Sequence, residues 1–276
     1  MCLSSPQAAM ICCHSAIERP YFFSMDGKYD AGPCFGHGGA CSVMLPRPLQ
    51  TRLIGVDGLV WYVSYGSNMD AGRFRYYLEG GRPPHAKLSF PGARDPSPPR
   101  DTRPVWLAGR VYFATLSRVW GGGRALYDPD LDGRAAARSY LITAGQFADV
   151  VAQEMYREPG ADLDLTTLAG TGRLRMGDGR YETLVCPGHC DDAPLITFTA
   201  PWRMSDMDLL APSPAYLRMI GLGLREAHGW DTAAVTRYLA GLPGVHGAWR
   251  PAEIAALLTA PGTEPAGQSL SGEHSE

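Results

Sequence analysis

Lysine is almost missing from this chain. Of its 25 basic residues only Lys28 and Lys87 are lysine, and the rest are arginine. The two side chains serve alike on most surfaces, so the bias points to a GC-rich genome rather than to a function. An excess of one charge is also lacking. The 28 acidic residues bring the net charge to −3, which offers no polycationic surface and gives no reason to expect a nucleic-acid partner. No run of 18 apolar residues occurs, so no membrane-spanning helix and no membrane partner are expected. The start, Met1-Cys2-Leu3-Ser4-Ser5-Pro6, has neither the basic residues nor the apolar block of a secretory signal. Cysteine is present but unpatterned: Cys2, Cys12, Cys13, Cys34 and Cys41 fall in the first fifty residues, and only Cys186 and Cys190 lie beyond. An odd count without regular spacing argues against a disulfide scaffold and for a reducing, cytoplasmic setting. Hydrophobic residues reach 45% and aromatics 10%, enough for a buried core.

Organisation changes near Val56. Residues 1–55 are rich in Cys, Pro and Gly and show no sustained period of 2 or 3.6, so they read as a poorly ordered extension. Val56 or a nearby valine is the start of translation expected on one reading, since GC-rich bacteria often use GTG codons. Cys34, His37 and Cys41 are the ligands of a sharper, metal-binding reading, but no second pair of zinc-like spacing accompanies them. Residues 56–260 read as the folded region, and 261–276 as a disordered tail.

Within the folded region, Leu59 to Tyr65 is β-branched and aromatic and predicts a strand. Gly66-Ser67-Asn68 is a turn, followed by a helix from Met69 to Glu79 with Asn68 or Asp70 as cap and Gly80-Gly81 as stop. Strand, tight loop and helix together aim backbone N–H groups above the loop, a favourable place for a carboxylate. The Pro- and Arg-dense residues 81–104 predict a long loop. A strand follows over 105–116, then the glycine loop Gly121-Gly122-Gly123, a short strand ending at Tyr127, and another over Ser139–Ile142. Strands are also expected over Tyr181–Val185 and Leu195–Thr199, joined by a turn around Pro187 to Pro194. Helices are expected over Pro214–His228, Asp231–Ala240 and Pro251–Thr259.

The helix opened by Thr143 carries the most chemistry. Thr143 and Gln146 fit a capping box, and Phe147, Val150, Val151, Glu154 and Met155 follow at helical spacing. Glu154 thus lies on the apolar face, with Asp149 expected on the other side, toward water. A carboxyl among apolar side chains is desolvated and its pKa rises, which suits proton transfer near neutral pH. The competing reading is a boundary glutamate that reaches water or pairs with Arg157. Glu158 is a weaker candidate of the same kind. Ser67 lacks the Gly-x-Ser-x-Gly elbow of a serine nucleophile. Cys186, His189 and Cys190 are three possible metal ligands in five residues, with Asp191 as the only near fourth; a solvated turn is the competing reading. The glycine run lacks the Lys-Ser/Thr of a phosphate loop.

Taken in order, Tyr65-Gly66-Ser67-Asn68-Met69 after a strand, Trp120-x-Gly122-Gly123-x-Ala125, Gln153-Glu154 late in a helix and Pro212-Ser213-Pro214-x-Tyr216 resemble the γ-glutamylcyclotransferase-like family over residues 58–240. The resemblance implies an α+β fold, a small mixed β-barrel flanked by helices. It implies that a γ-glutamyl amide or amine closes on itself to 5-oxoproline and releases its amine, with no cofactor and no metal. Glu154 falls on the family's catalytic glutamate. Tyr65, Gly66, Ser67, Asn68, Met69, Trp120 and Tyr181 are the implied substrate-binding residues, and a small γ-glutamyl compound is the implied partner. Two departures stand out: Met155 follows the glutamate where Gly is frequent, and Phe198 replaces a tyrosine. The resemblance leaves the leaving amine and the oligomeric state open, and allows a binding protein without turnover or an amide hydrolase.

Overall fold

A computed structural model describes residues 58–83 and 89–260. The expected extension over 1–55, the Cys34, His37 and Cys41 trio and the tail from 261 lie outside the described residues.

Strand β1, Leu59–Ser64, explains the layering. Its side chains alternate, with Trp61 and Val63 on one face and Val60 and Tyr62 on the other. All six residues are buried, as a central strand covered on both faces requires. It pairs antiparallel with β5, Arg134–Thr143, and parallel with β8, Ala193–Thr199. Further strands are β2 (Asp101–Ala108), β6 (Arg173–Arg175) and β7 (Thr183–Cys190), giving a six-stranded sheet of order β2-β5-β1-β8-β7-β6. The two remaining strands, β3 (Arg110–Leu116) and β4 (Gly123–Asp128), form a separate ribbon. The fold is therefore α+β, but the strands make an open sheet and a ribbon where one closed barrel was expected.

The helices cover both faces. Helices α1 (Ala71–Glu79), α2 (Ala144–Glu154) and α3 (Thr166–Thr171) supply Phe74, Phe147 and Leu168 to the cluster around Tyr62. Helices α4 (Pro214–His228), α5 (Thr232–Ala240) and α6 (Pro251–Thr259) supply Leu217, Val235 and Ile254 to the cluster around Trp61. The caps follow local chemistry. Asp70 accepts from the Arg73 N–H at 2.7 Å to start α1. Thr143 and Gln146 form the full capping box of α2. Asp231 caps α5. Among the described residues no helix is long and apolar enough to cross a membrane.

Several expectations need correction. The single strand expected over 105–116 is two, broken at Gly109, whose φ of +106° and a Cβ position 2.5 Å from the Asp128 carbonyl admit no side chain. Strand β2 begins at Asp101, inside the expected loop. Its Pro104 is tolerated because β2 is an edge strand, where a missing N–H need not break the ladder. Strand β5 extends back to Arg134 because β2 pairs along its whole length. Two short elements, α3 and β6, lie within 160–178, where no element was expected. The hairpin turn expected from Pro187 to Pro194 is much tighter: Cys186 to Cys190 belong to β7, with Pro187 accommodated where the register shifts between Val185 and Gly188.

Candidate functional site

The site forms where β1 gives way to α1 and where α2 ends. Past Ser64 the chain turns through a single 3₁₀ turn, Ser67–Met69, closed by Met69 N–H to the Gly66 carbonyl at 3.1 Å and Asp70 N–H to the Ser67 carbonyl at 3.2 Å. This turn buries Asn68 beneath it. The Asn68 amide donates to Glu154 Oε1 at 3.0 Å and to the Tyr62 hydroxyl at 3.2 Å. A loop residue is thereby fixed between strand β1 and the last turn of α2. The neighbouring Gln153 donates to the Tyr77 carbonyl at 2.9 Å, which ties α2 to α1.

Glu154 is half-buried, and burial pushes its carboxyl above the ordinary value. Hydrogen bonding from Tyr77 and Asn68 and the charges of Arg73 and Arg124 pull the other way. Arg157 does not pair with it but with Glu182, at 2.6 Å. Four phenols lie within electrostatic reach of the carboxylate. Burial pushes the hydroxyls of Tyr62, Tyr77 and Tyr181 up, and Tyr216 up to about 12, with Glu154 adding to each. They stay protonated at neutral pH. The arrangement places one titratable base against two neutral donors, Asn68 and Tyr77, suited to receiving a proton and returning it.

The other expected site residues are placed as follows. Gly66 lies against Tyr216, whose hydroxyl would stand 3.3 Å from a Cβ there. Ser67 is half-buried in the turn. Tyr65 donates to the Phe198 carbonyl at 2.7 Å. Tyr181 precedes β7, donates to the Ala125 carbonyl at 3.0 Å and meets Phe198 edge-on at 5.5 Å. Trp120 stacks on Tyr216 at 5.2 Å. The side chain of Met69 belongs to the core cluster beside α4, while its carbonyl accepts from Arg138.

Asp149 is the clearest correction. Expected to face water, it is fully buried, because residues 93–97 and 160 fold over that side of α2. It accepts from the Arg94 N–H at 2.8 Å, the Arg94 Nε at 3.0 Å and the Gly160 N–H at 3.2 Å. Glu158 is exposed. Among the described residues no group of three or more His, Cys, Asp or Glu is placed to hold a metal, and Cys186 and Cys190 sit along β7 rather than in a turn. Burial pushes the Cys186 thiol up to about 11, so it is not a poised nucleophile.

Arg73, Tyr77 and Arg124 were not anticipated. A signal for the first two was present: Arg73 and Tyr77 are four apart, one face of the helix that follows the Asn68 turn.

No protein-family model matches the chain. It is 32% identical over 190 residues to histone deacetylase 5 of Arabidopsis thaliana, a match covering 60% of this chain and 28% of that protein. The chain thus spans less than a third of that relative's length. Among solved structures it is similar to an uncharacterised protein from Homo sapiens, at 14% identity and TM-score 0.39 over 67% of this chain and 89% of that one. It is also similar to a γ-glutamyl cyclotransferase, at 13% identity and TM-score 0.35 over 72% of this chain and 98% of that one.

Proposed function

We propose that the chain is a γ-glutamylcyclotransferase-like enzyme that converts a γ-glutamyl amide or amine into 5-oxoproline and the free amine. The observation that carries this reading is the half-buried Glu154 held by Asn68 of the strand-to-helix turn. The substrate's α-amine attacks its own γ-carbonyl carbon, a C–N bond forms, and the bond to the leaving nitrogen breaks. Glu154 takes a proton from the α-ammonium and returns it to the leaving nitrogen. Backbone N–H groups of Gly66, Ser67 and Asn68 polarise the carbonyl, since the first N–H groups of a helical turn lack partners inside it. Closing a five-membered ring needs chiefly a folded-back glutamyl group, and holding that geometry supplies the acceleration. In this reading the β3–β4 ribbon is the remaining wall of a barrel. It is joined to β8 by side-chain bonds, Tyr127 N–H to Thr199 Oγ1 at 3.1 Å and Thr199 Oγ1 to the Tyr127 carbonyl at 2.6 Å.

The test is a panel of γ-glutamyl amides and amines with products identified by mass spectrometry. 5-Oxoproline is expected. Free glutamate instead would mark a hydrolase, and no product from any compound would defeat the enzyme reading. A second reading, a binding module without turnover, has one observation in its favour: the matched relative shares only 28% of its length with this chain, as a module within a larger protein would.

A further inference from the structure

A small cavity lies apart from Glu154. It measures about 170 Å³ and is lined by Arg110, Arg134, Tyr238 and, just after α5, Gly241, Leu242 and Pro243. Tyr238 and Leu242 belong to the cluster on the Trp61 side of the sheet, whereas α2 packs on the Tyr62 side. The lining holds two cations and no acidic residue. Both cations are positioned without an anion. Arg110 Nε donates to the Asp132 carbonyl at 2.7 Å, and the side chain lies across Gly133, where a Cβ would stand 2.7 Å from that nitrogen. Asp128 is opposite Arg110 in the β3–β4 register, but its carboxylate accepts from the Asp130 and Met204 N–H groups instead. Arg134 rests on the Trp106 ring, 4.8 Å from its centre. Among the described residues neither arginine forms an ion pair, whereas Arg94, Arg103, Arg138 and Arg157 each do. The Tyr238 hydroxyl accepts from the Ala136 N–H at 2.9 Å, which leaves its own O–H to donate.

We infer that this cavity binds a phosphoryl dianion, carried by a small phosphate ester or present as free phosphate. Charge selects the class. Two guanidinium groups facing one cavity repel each other, and a dianion between them balances both. A monocarboxylate would leave one positive charge over. Geometry agrees. The planar fork of a guanidinium matches two phosphate oxygens at once. Arg110 has spent only its Nε–H, so its remaining N–H groups are open to an anion. The Tyr238 O–H offers a donor for a further oxygen. Leu242 and Pro243 bring no polar side chain and give a small ester group an apolar wall. Size sets the upper bound: pockets for drug-sized ligands start at about 300 Å³, so a nucleotide is too large. None of the lining residues takes part in the proposed cyclisation.

The test is an NMR titration of the full chain at low salt with inorganic phosphate, methyl phosphate and acetate. It is run at about pH 8, where a phosphate monoester is fully dianionic. Both phosphates are expected to bind with a Kd of about 1 mM or tighter, and acetate about tenfold more weakly or worse. Arg110 and Arg134 are exposed, so their glutamine variants should fold, as an unchanged circular dichroism spectrum would verify. Arg110→Gln and Arg134→Gln should each weaken phosphate by about 10- to 100-fold, the range for a lost charged hydrogen bond. Arg73→Gln, beside Glu154, should leave it unchanged. Tighter binding of methyl phosphate supports the ester as the source, and equal binding supports the free anion. Absence of binding, acetate bound as tightly as phosphate, or affinity kept in the Arg110→Gln/Arg134→Gln double variant overturns the inference. So does a loss confined to Arg73→Gln, which would place the anion beside Glu154. No turnover is read, so the outcome is separate from that of the cyclotransferase assay.

Discussion

Helix α2 carries two carboxylates five residues apart in opposite circumstances. Asp149 is fully buried and saturated: two backbone N–H groups and a guanidinium fill its acceptor sites. Glu154 is half-buried and faces neutral donors, and the charges of Arg73 and Arg124 act on it without pairing with it. A carboxylate whose partners are all charged or backbone donors anchors the chain segments that donate to it. One met mainly by neutral side chains keeps the freedom to gain and lose a proton. Burial alone does not separate the two; the chemistry of the donors does.

The largest expected effect concerns the proposed proton carrier. Glu154→Gln should lower 5-oxoproline formation by about 10²- to 10⁴-fold with the circular dichroism spectrum unchanged. A loss of less than about tenfold would break the contrast with Asp149. The same variant carries a stability signature. Burial raises the Glu154 carboxyl, so the native state holds that proton more tightly than the unfolded chain. The resulting stability is complete below the ordinary value of 4.5 and is lost as pH rises through the raised value. Denaturant titrations should therefore show Glu154→Gln gaining on the wild type across that window.

Next in size, Asp149→Ala should cost about 3 kcal/mol, because two backbone N–H groups are left without their acceptor. The guanidinium of Arg94, nearly half exposed, can turn to water, which keeps the loss from being larger. A midpoint shift of less than about 1 kcal/mol would mean that the segment over α2 is held by something else. The acid side of these titrations carries a contribution from His228. Burial holds its imidazole down to about 4, and the Ala137 carbonyl accepts its Nε2–H at 3.0 Å. The unfolded chain takes up that proton first, so the stability is present above 6.5, declines as pH falls and is gone below about 4, amounting to about 3 kcal/mol. His228→Gln should flatten that limb. The smallest effect is expected from Thr143→Ala. It removes the cap at the start of α2, six residues before Asp149 and eleven before Glu154, and should cost about 1 kcal/mol with little change in turnover.

What the sequence makes legible is local. Leu59–Ser64, Pro214–His228 and Pro251–Thr259 follow from strand and helix patterning and their Pro, Asp and Gly punctuation. The α2 capping box and the burial of Glu154 follow from spacing alone. Contacts from distant segments are not legible. Asp149 reads as solvent-facing because its own helix gives no hint that Arg94, 55 residues earlier, folds over it. The Cys186–Cys190 stretch reads as a turn because Pro and Gly dominate locally, whereas pairing with β8 draws it into a strand. Arg124 stands at an unassigned position between Gly123 and Ala125, and only the fold brings it toward Glu154.

Gly223 has a consequence for where this chain can be cut. Glycine inside a helix costs about 1 kcal/mol against alanine. At this point in α4 a Cβ would stand 2.7 Å from that of Met69 and 2.9 Å from the Asp70 nitrogen. The spine of α4 thus rests directly on the turn that carries Asn68. A truncation before Ser213 would keep every residue proposed to touch the glutamyl head and the proton, yet remove the floor on which that turn is seated. The helices after Pro212 are a bearing surface for the site, and a shorter version of the protein must retain them to keep Asn68 in place.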